Sequence, residues 1–584
     1  MTNFKFTLAV NELIAAIISV LTYFFIWRVH RVMLRSTHSM NENKASMLPS
    51  TSLPATYYVD NFFKLLTHVE SYYMDLLNGD EVHWLQRFKS LTKNSQCLLV
   101  RMLTRKGEWF RSDKLYYDEI GEPSKWLQEL AGCGFVAINQ TMQADILAQE
   151  LLTKPELIRT YPFISPRLKK SEQILALSQY DISAKPSLNF DVIQLLDANH
   201  YRLMCQLFFG NGRQDLSQFV LADLGLQNFE DYVLTSSIRY FKCRDDVDTA
   251  LLLSKLYDHY YQSKLNPVET LHQLIALLPD VKTHHDLERR RQKLINLIAR
   301  DFERHSHAFD SLALYDKTTQ PPSRERRVRL HLALNTPEKS WPIITSMLNS
   351  PLDIEEYEVA LRLKPKIQKA LSLPQDKRVI MCQPTRHLEM DLTKASVELA
   401  VKHYMESEGW EVFYLENHFL NTLFGLCFWD IIFSPVDGVF INAYQQQPLD
   451  LYQPDFSSRR RRLLDERLNV IECSGVTPFL CLADSKRGIS NPFVYWPYVD
   501  ERWLKLAEQT IDGRLLRQLF TVMLKDLKKF RTGMPDLIAF KDGQFMWCEV
   551  KGPGDKLQGN QKRWMQEYEQ LGVAYQVCYV THME

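Results

Sequence analysis

The sequence predicts a multidomain, mainly α chain that ends in an α/β domain. Three observations carry this. The chain has 584 residues, more than one hydrophobic core holds together, so three or four domains are expected. Up to about residue 385 the apolar residues recur at helical spacing. From about residue 390 helix and strand patterns alternate, and Asp542-Gly543 sits between two apolar runs as a hairpin turn signal.

The elements follow in chain order. Residues 13–27 (LIAAIISVLTYFFIW) are almost wholly apolar, and Arg28, His30, Arg31 and Arg35 follow. As a membrane anchor the run is short, about 15 residues against the roughly 20 of a span. As a secretory leader it lacks strong positive charge before it and a small-residue cleavage site. A third reading puts the natural start at Met40 or Met47, with the earlier residues a translated upstream region. The sequence leaves these readings open.

Residues 36–56 are rich in Ser, Thr, Asn and Pro and read as a linker. Next, YYVDNFFKLLTHVESYYMDLL places Phe62, Leu65, Leu66 and Val69 on one helix face. Further helix is expected over 81–103. The stretch LVRMLTRKGEWFRSDKLYYDEIGE then interleaves Arg101, Arg105, Lys106, Arg111 and Lys114 with Trp109, Phe110, Tyr116 and Tyr117. That composition suits a nucleic-acid face. It suits equally the solvated side of a helical domain with its aromatics inside, and from this segment the second reading is preferred. Residues 120–157 read as helix, a short hairpin around 132–134, and helix, compatible with a winged helix-turn-helix. Residues 165–205 read as a second small helical unit, with FDVIQLLDANHYRLMCQLFF as an amphipathic helix. Roughly 215–380 is a run of helices with short connections, the pattern of a TPR-like solenoid. Beyond 390, TKASVELAVKHYMESEG reads as helix with Thr393 as a possible cap, WEVFYLE as strand and LFGLCFWDIIF as a buried apolar segment. Residues 500–531 and 559–571 read as helix, and 573–580 as the last strand.

Composition narrows the function classes. Lys+Arg and Asp+Glu are 70 each, so net charge neither supports nor excludes nucleic acid. The ten cysteines include no C-x-x-C pair, which argues against a zinc ribbon and against a disulfide framework. Scattered cysteines fit a cytosolic protein.

The chemistry concentrates in GMPDLIAFKDGQFMWCEVKGPGDKLQGNQKRW, residues 533–564. Asp536 follows Pro535, and Glu549 and Lys551 stand two apart on a strand, so they project to one face with Val550 turned away. The hairpin returns their strand beside the one that begins at Asp536. Hydrolysis of a phosphodiester suits such a set: carboxylates bind hard divalent cations, and a lysine orients water or offsets developing charge. The Val550 carbonyl is a further candidate ligand. The pattern is that of the PD-(D/E)XK nucleases; a plain surface hairpin with a Glu and a Lys is the competing reading.

The segment GMPDL…EVKGPGDKL…Q resembles the VRR-NUC nuclease domain. The likeness extends upstream through SVELAVKHY (396–404), LFGLCFWDIIF (423–433), DGVFINAYQQQPLDLY (437–452), and Phe456 followed by the arginines at 459–462. It reaches FERHSHAFDSLALYDKTTQPPSRERRVRL, and the blocks YYVDNFFKLL and LVRMLTRKGEWFRSDKL. Covering about 57–584, the chain resembles the bacterial type of the Fanconi-associated nuclease family, without a ubiquitin-binding finger. Beyond an apolar and linker extension (1–46), the resemblance implies a helical and winged-helix-like DNA-binding domain (47–160), a SAP-like unit (161–214), a TPR-like domain (215–385) and a PD-(D/E)XK nuclease domain (386–584). It implies metal ligation by Glu398, Asp536, Glu549 and the Val550 carbonyl, and catalysis by Asp536, Glu549 and Lys551. Glu416 and Asp430 fall in matching blocks with less defined roles.

The activity implied is that of a structure-specific DNA nuclease, a 5′ flap endonuclease and 5′→3′ exonuclease using Mg²⁺ or Mn²⁺ in interstrand crosslink repair. Its partner is DNA, as a 5′ flap or branched duplex, with no small-molecule cofactor and no membrane, in the cytoplasm with the nucleoid. Lys525, Lys528, Lys529, Arg531 and Lys562 are candidate phosphate contacts. Arg324, Arg326, Arg327 and Arg329 are either further contacts or solvated helix charge. Members of the family hold a 5′ phosphate in a basic pocket. Asn560 stands where a basic residue is common, which puts that corner of the pocket in doubt.

Overall fold

The computed structural model describes residues 54–583 apart from 181–186, 212, 213, 215, 226, 282, 376–382 and 394. Residues 55–584 form one compact unit. The apolar run 13–27, most of the linker and both alternative start methionines lie outside the described residues. Among the described residues no helix is long and apolar enough to cross a membrane.

The first helices are Tyr57–Tyr73, Gly79–Ser90 and Lys93–Leu103. Phe62, Leu65, Leu66 and Val69 are fully buried, as their spacing requires. Asn78 and Glu81 close a capping box on the second helix. In the aromatic and basic stretch that follows, Phe110, Arg101 and Arg111 are structural in their contacts, while Arg105, Lys106, Lys114 and Tyr116 are exposed. Phe110 is buried, Arg101 pairs with Glu119, and Arg111 pairs with Asp113 and Glu156.

Three short strands follow, β1 (Trp109–Arg111), β2 (Val136–Ile138) and β3 (Val192–Leu195), in an antiparallel sheet of order β1-β3-β2. This corrects two expectations. Residues 132–134 are not a hairpin: they end the helix Ser124–Gly132 and turn into β2, whose partner is β3. The segment 190–209 is not one helix. Its β-branched Val192 and Ile193 enter the sheet, Asp197 takes a left-handed conformation, and helix resumes over Ala198–Phe209. Between β2 and β3 the helices Ala144–Glu150, Lys154–Thr160 and Lys170–Leu177 enclose a small core of their own, with Leu147, Leu157, Tyr161 and Leu177. The second small unit therefore begins before residue 161 and ends where β3 begins. Its chain leaves and returns at one neck, where the Asn139 N–H donates to the Val192 carbonyl (2.7 Å) and the Asn139 amide to Asp191 (2.6 Å).

The helical run is as expected: Arg244–Tyr260, Val268–Ala276, His285–Arg304, Ala308–Tyr315, Ser323–Ala333, Pro337–Asn349 and Ile354–Ala370, the first packed on the third and each from the second onward on the next. Two cores lie between them, one centred on Leu294, Ile298 and Phe302, the other on Ile344, Val359 and Leu363.

The C-terminal sheet has five strands in the order β4-β8-β7-β6-β5, where β4 is Thr385–Met390, β5 Glu411–Tyr414, β6 Leu537–Lys541, β7 Gln544–Lys551 and β8 Tyr575–His582. β5, β6 and β7 run antiparallel in sequence; β7, β8 and β4 run parallel. β4 had no sequence signal, because its residues alternate between exposed and half-buried at a sheet edge. The hairpin turn is where Asp542-Gly543 predicted it, with both residues at positive φ. Met546, Cys548 and Val550 pack with Val401 and Met405 of the helix Val397–Ser407 on one face. Phe545 and Trp547 pack on the opposite face with Trp564 and Tyr568 of the helix Gly559–Leu571. The first of these helices is capped by Ser396, not Thr393; the Thr393 hydroxyl is taken up by Asp391.

Candidate active site

Asp536 lies immediately before β6. Its carbonyl accepts from the Leu415 N–H (3.0 Å) and its carboxylate from the Val550 N–H (2.8 Å). Alternation along β7 turns Glu549 and Lys551 to the face opposite Val550, whose side chain is in the core beneath the Val397–Ser407 helix. Glu549 is fully buried. One of its oxygens accepts from Lys551 Nζ at 2.7 Å and from the Gln561 amide at 2.6 Å. The other, Oε2, is buried and meets no donor among the described residues.

The electrostatics follow from this placement. Burial pushes Asp536 up to about 6; the Val550 N–H opposes the shift, and the charge of Glu416 adds to it. Burial, then the neighbouring Asp536, pushes Glu549 up to about 8, and Lys551 offsets only part. Both carboxyls are thus held above their usual range by burial first and by neighbouring carboxylate charge second. Glu398 sits in the first turn of the Val397–Ser407 helix, and Glu416 follows the end of β5. Both charges act on Asp536, and Glu416 acts on Glu549 as well. Burial, followed by the charges of Glu398, Asp536 and Glu416, raises the Tyr414 hydroxyl to about 12.

Among the described residues no three His, Cys, Asp or Glu side chains stand close enough to cage a metal ion unaided. The expected convergence of Glu398, Asp536 and Glu549 is therefore partial. Asp536 and Glu549 are neighbours, while Glu398 acts from further off. One oxygen of Glu549 is engaged by Lys551 and Gln561. The donor set still fits a hard divalent cation: it is all oxygen, it carries excess negative charge, and it includes the orphaned Oε2 of Glu549.

Two residues gain weight from the structure. Glu416 acts on both central carboxyls. Gln561 holds Glu549 from the first turn of the last helix. Its signal was its place ten residues beyond Lys551, where a helix start faces the strand ends; the neighbouring Asn560 and Lys562 drew attention instead. Asn560 packs its backbone on Gly533, where an added Cβ would lie 2.6 Å from the Asn560 carbonyl carbon. Gly533 has φ +88, so glycine is required twice over, and the contact joins the last helix to the loop carrying Asp536.

The candidate phosphate contacts divide. Lys525 pairs with Glu567 (2.9 Å), Lys529 with Glu355, and Arg531 donates to the Tyr452 hydroxyl. Lys528 and Lys562 are exposed. Arg324, Arg326, Arg327 and Arg329 pair with Glu356, Glu303, Asp316 and Glu325, as helix charge satisfied within the array. Asp430 is exposed and pairs with Arg467 at 2.7 Å, away from the carboxyls.

Comparison with known proteins decides the family. The family model described as "FAN1, HTH domain" matches residues 56–137, and that of the VRR-NUC domain matches residues 478–582. The Fanconi-associated nuclease 1 homolog of Pseudomonas aeruginosa is 33% identical over 571 residues, spanning 93% of this chain and 99% of that protein. The chain belongs to the Fanconi-associated nuclease family. It is accordingly a metal-dependent DNA nuclease, with the VRR-NUC match enclosing Asp536, Glu549 and Lys551. Human Fanconi-associated nuclease 1 is 24% identical over 647 residues, with 91% of this chain and 63% of the human protein covered. The crystal structure of paFAN1 bound to DNA with a 2-nucleotide 5′ flap and a gap superposes with TM-score 0.79 at 32% identity, covering 91% of this chain and all of that one.

Proposed function

We propose that this member of the family cuts DNA at a 5′ flap or branch and degrades it 5′→3′, using a site formed by Glu398, Asp536, Glu549, Lys551 and the Val550 carbonyl. The observation that carries the reading is the pair of half-buried Asp536 and buried Glu549, both held above the usual carboxyl range with one lysine against Glu549. A bound Mg²⁺ or Mn²⁺ would neutralise the phosphate and acidify water. Glu398, Asp536, Glu549 and the Val550 carbonyl would hold it, with Glu416 completing the oxygen set. Lys551 faces the same space and would orient water or offset charge on the cut phosphate. Gln561 fixes the Glu549 carboxylate.

The region 56–137, with the small helical unit beyond it, would grip duplex, and Lys528, Arg531 and Lys562 are the candidate phosphate contacts not paired with an acid among the described residues. The sequence resemblance and the flap-bound relative favour interstrand crosslink repair as the setting, in the cytoplasm at the nucleoid.

The test is cleavage of a 5′-phosphorylated flap with Mn²⁺ or Mg²⁺ by wild type and by Glu549→Ala, beside a flap lacking the phosphate. Cleavage by wild type alone supports the site. A slower rate without the phosphate supports a 5′-phosphate pocket despite Asn560. Binding without cleavage of any flap overturns the proposal.

A further inference from the structure

Tyr495 and Tyr498 are 53% and 42% exposed, in a fold that buries most of its large aromatics. They are not scattered. The His418 ring stacks on Tyr498 at 4.5 Å between centroids and 12° between planes. Tyr495 lies 5.4 Å from His418 and 5.5 Å from Tyr498. The three rings form one open aromatic patch.

The backbone beneath the patch is fixed by other residues. The Trp496 indole donates to the Ile489 carbonyl (2.7 Å) and the Trp503 indole to the Tyr498 carbonyl (2.9 Å). The short turn Trp496–Tyr498 is therefore held without help from the tyrosine rings. Contiguous apolar surface left open on an otherwise well-packed domain marks a binding face.

Its position says what binds. His418 follows Glu416 by two residues, and the same short segment is fastened to the Asp536 loop. The Leu415 N–H donates to the Asp536 carbonyl (3.0 Å), and the Met534 N–H to the Asn417 side chain (3.0 Å). The patch thus borders the segment that carries Glu416 and the loop that carries Asp536. Acids beside it disfavour a phosphate, whereas flat ring faces suit a nucleobase of any identity.

We propose that His418, Tyr495 and Tyr498 form a stacking platform for an unpaired nucleobase of the strand being cut, next to the scissile phosphodiester. This rests on the nuclease reading above. The platform positions the backbone over the carboxyls by holding a base that the duplex no longer holds. It favours a branch point, where bases are already unstacked, over continuous duplex.

The test uses full-length protein carrying Asp536→Ala, bound to flap DNA with 2-aminopurine at successive positions on each side of the cut. One position is expected to change its fluorescence on binding. Tyr498→Leu and Tyr495→Leu, which keep apolar bulk, are expected to abolish that change, and Tyr498→Phe to keep it. In the otherwise wild-type enzyme each leucine variant is expected to raise KM for flap DNA about tenfold, the worth of one stacked base, with kcat within about twofold. Equal fluorescence at every position with and without the tyrosines, in a preparation whose wild type cuts flaps, overturns the platform. Equal loss in Tyr498→Phe assigns the effect to the hydroxyl and overturns stacking. A wild type that cuts no flap removes the nuclease reading itself, a result separate from either of these.

Discussion

Glu303 in the helical array and Glu549 in the C-terminal sheet are both buried acids touching a basic side chain, and they shift in opposite directions. Glu303 has a side chain 8% exposed and Glu549 one 1% exposed. Burial raises both. Glu303 nevertheless ends below the usual range, because the Arg326 guanidinium, the Tyr315 hydroxyl and Arg300 surround it. Glu549 ends near 8, because its one lysine is outweighed by burial and by Asp536, with Glu416 adding to the repulsion. Glu303 finds its counter-charge within the array. Glu549 does not find enough of it within the sheet, and a bound cation would supply the rest.

The sharpest way to break the comparison is Asp536→Asn. It keeps an acceptor for the Val550 N–H but removes a ligand and a charge. Cleavage is expected to fall about 10³-fold or more, since a preorganised charge is lost at the reacting centre. Stability should move the other way in metal-free protein. Asp536 titrates near 6 in the fold against an ordinary 3.8, so the fold holds the proton more tightly than the unfolded chain does. Stability from this group is complete below about pH 4 and is lost as pH rises through 6. Denaturant unfolding in EDTA should find the variant about 1–3 kcal/mol more stable than wild type at pH 8 and no different at pH 4.

Arg326→Ala tests the balanced side. It leaves Glu303 with only Arg300 and the Tyr315 hydroxyl and should cost about 1–2 kcal/mol of stability. The folded fraction should cut flap DNA at the wild-type rate; a collapse of kcat would place this arginine in the chemistry. Gln561→Ala sits between the two cases. Releasing the oxygen of Glu549 should lower activity about tenfold and weaken metal binding similarly, measured by metal titration of activity. Smallest is Lys525→Ala, whose partner Glu567 is at the surface edge. Its stability change should stay within about 0.5 kcal/mol, and an unchanged salt dependence of DNA binding would remove Lys525 from the phosphate contacts.

How much was legible in the sequence depended on whether the signal was local. The hairpin from Leu537 to Lys551 was readable because alternation and an Asp-Gly turn act within fifteen or so residues. The helices of the array were readable from periodicity. β2 and β3 were not, since three- and four-residue strands carry almost no pattern and their pairing spans the helices between them. Thr393 was a reasonable cap by type, but Ser396 is the one at the helix start. At the site, Asp536, Glu549 and Lys551 stood out from a single segment. Glu398 came only from resemblance, because it lies on a helix 138 residues upstream. The weight of Glu416 and the contact made by Gln561 required the sheet order, which brings β5, β6 and β7 side by side. The arginines of 324–329 had two readings until their acid partners, three of them outside their own helix, were seen.

The neck at Asn139 and Asp191 has a consequence for how such a chain changes over generations. A segment whose entry and exit are hydrogen-bonded to each other is a loop closed at its base. Its outer helices could lengthen without moving those two strand ends. It could not be cut away cleanly, because Arg111 of β1 pairs with its Glu156, and Trp109 and Val192 of the sheet share its core. The unit from 144 to 177 is therefore open to growth and closed to loss.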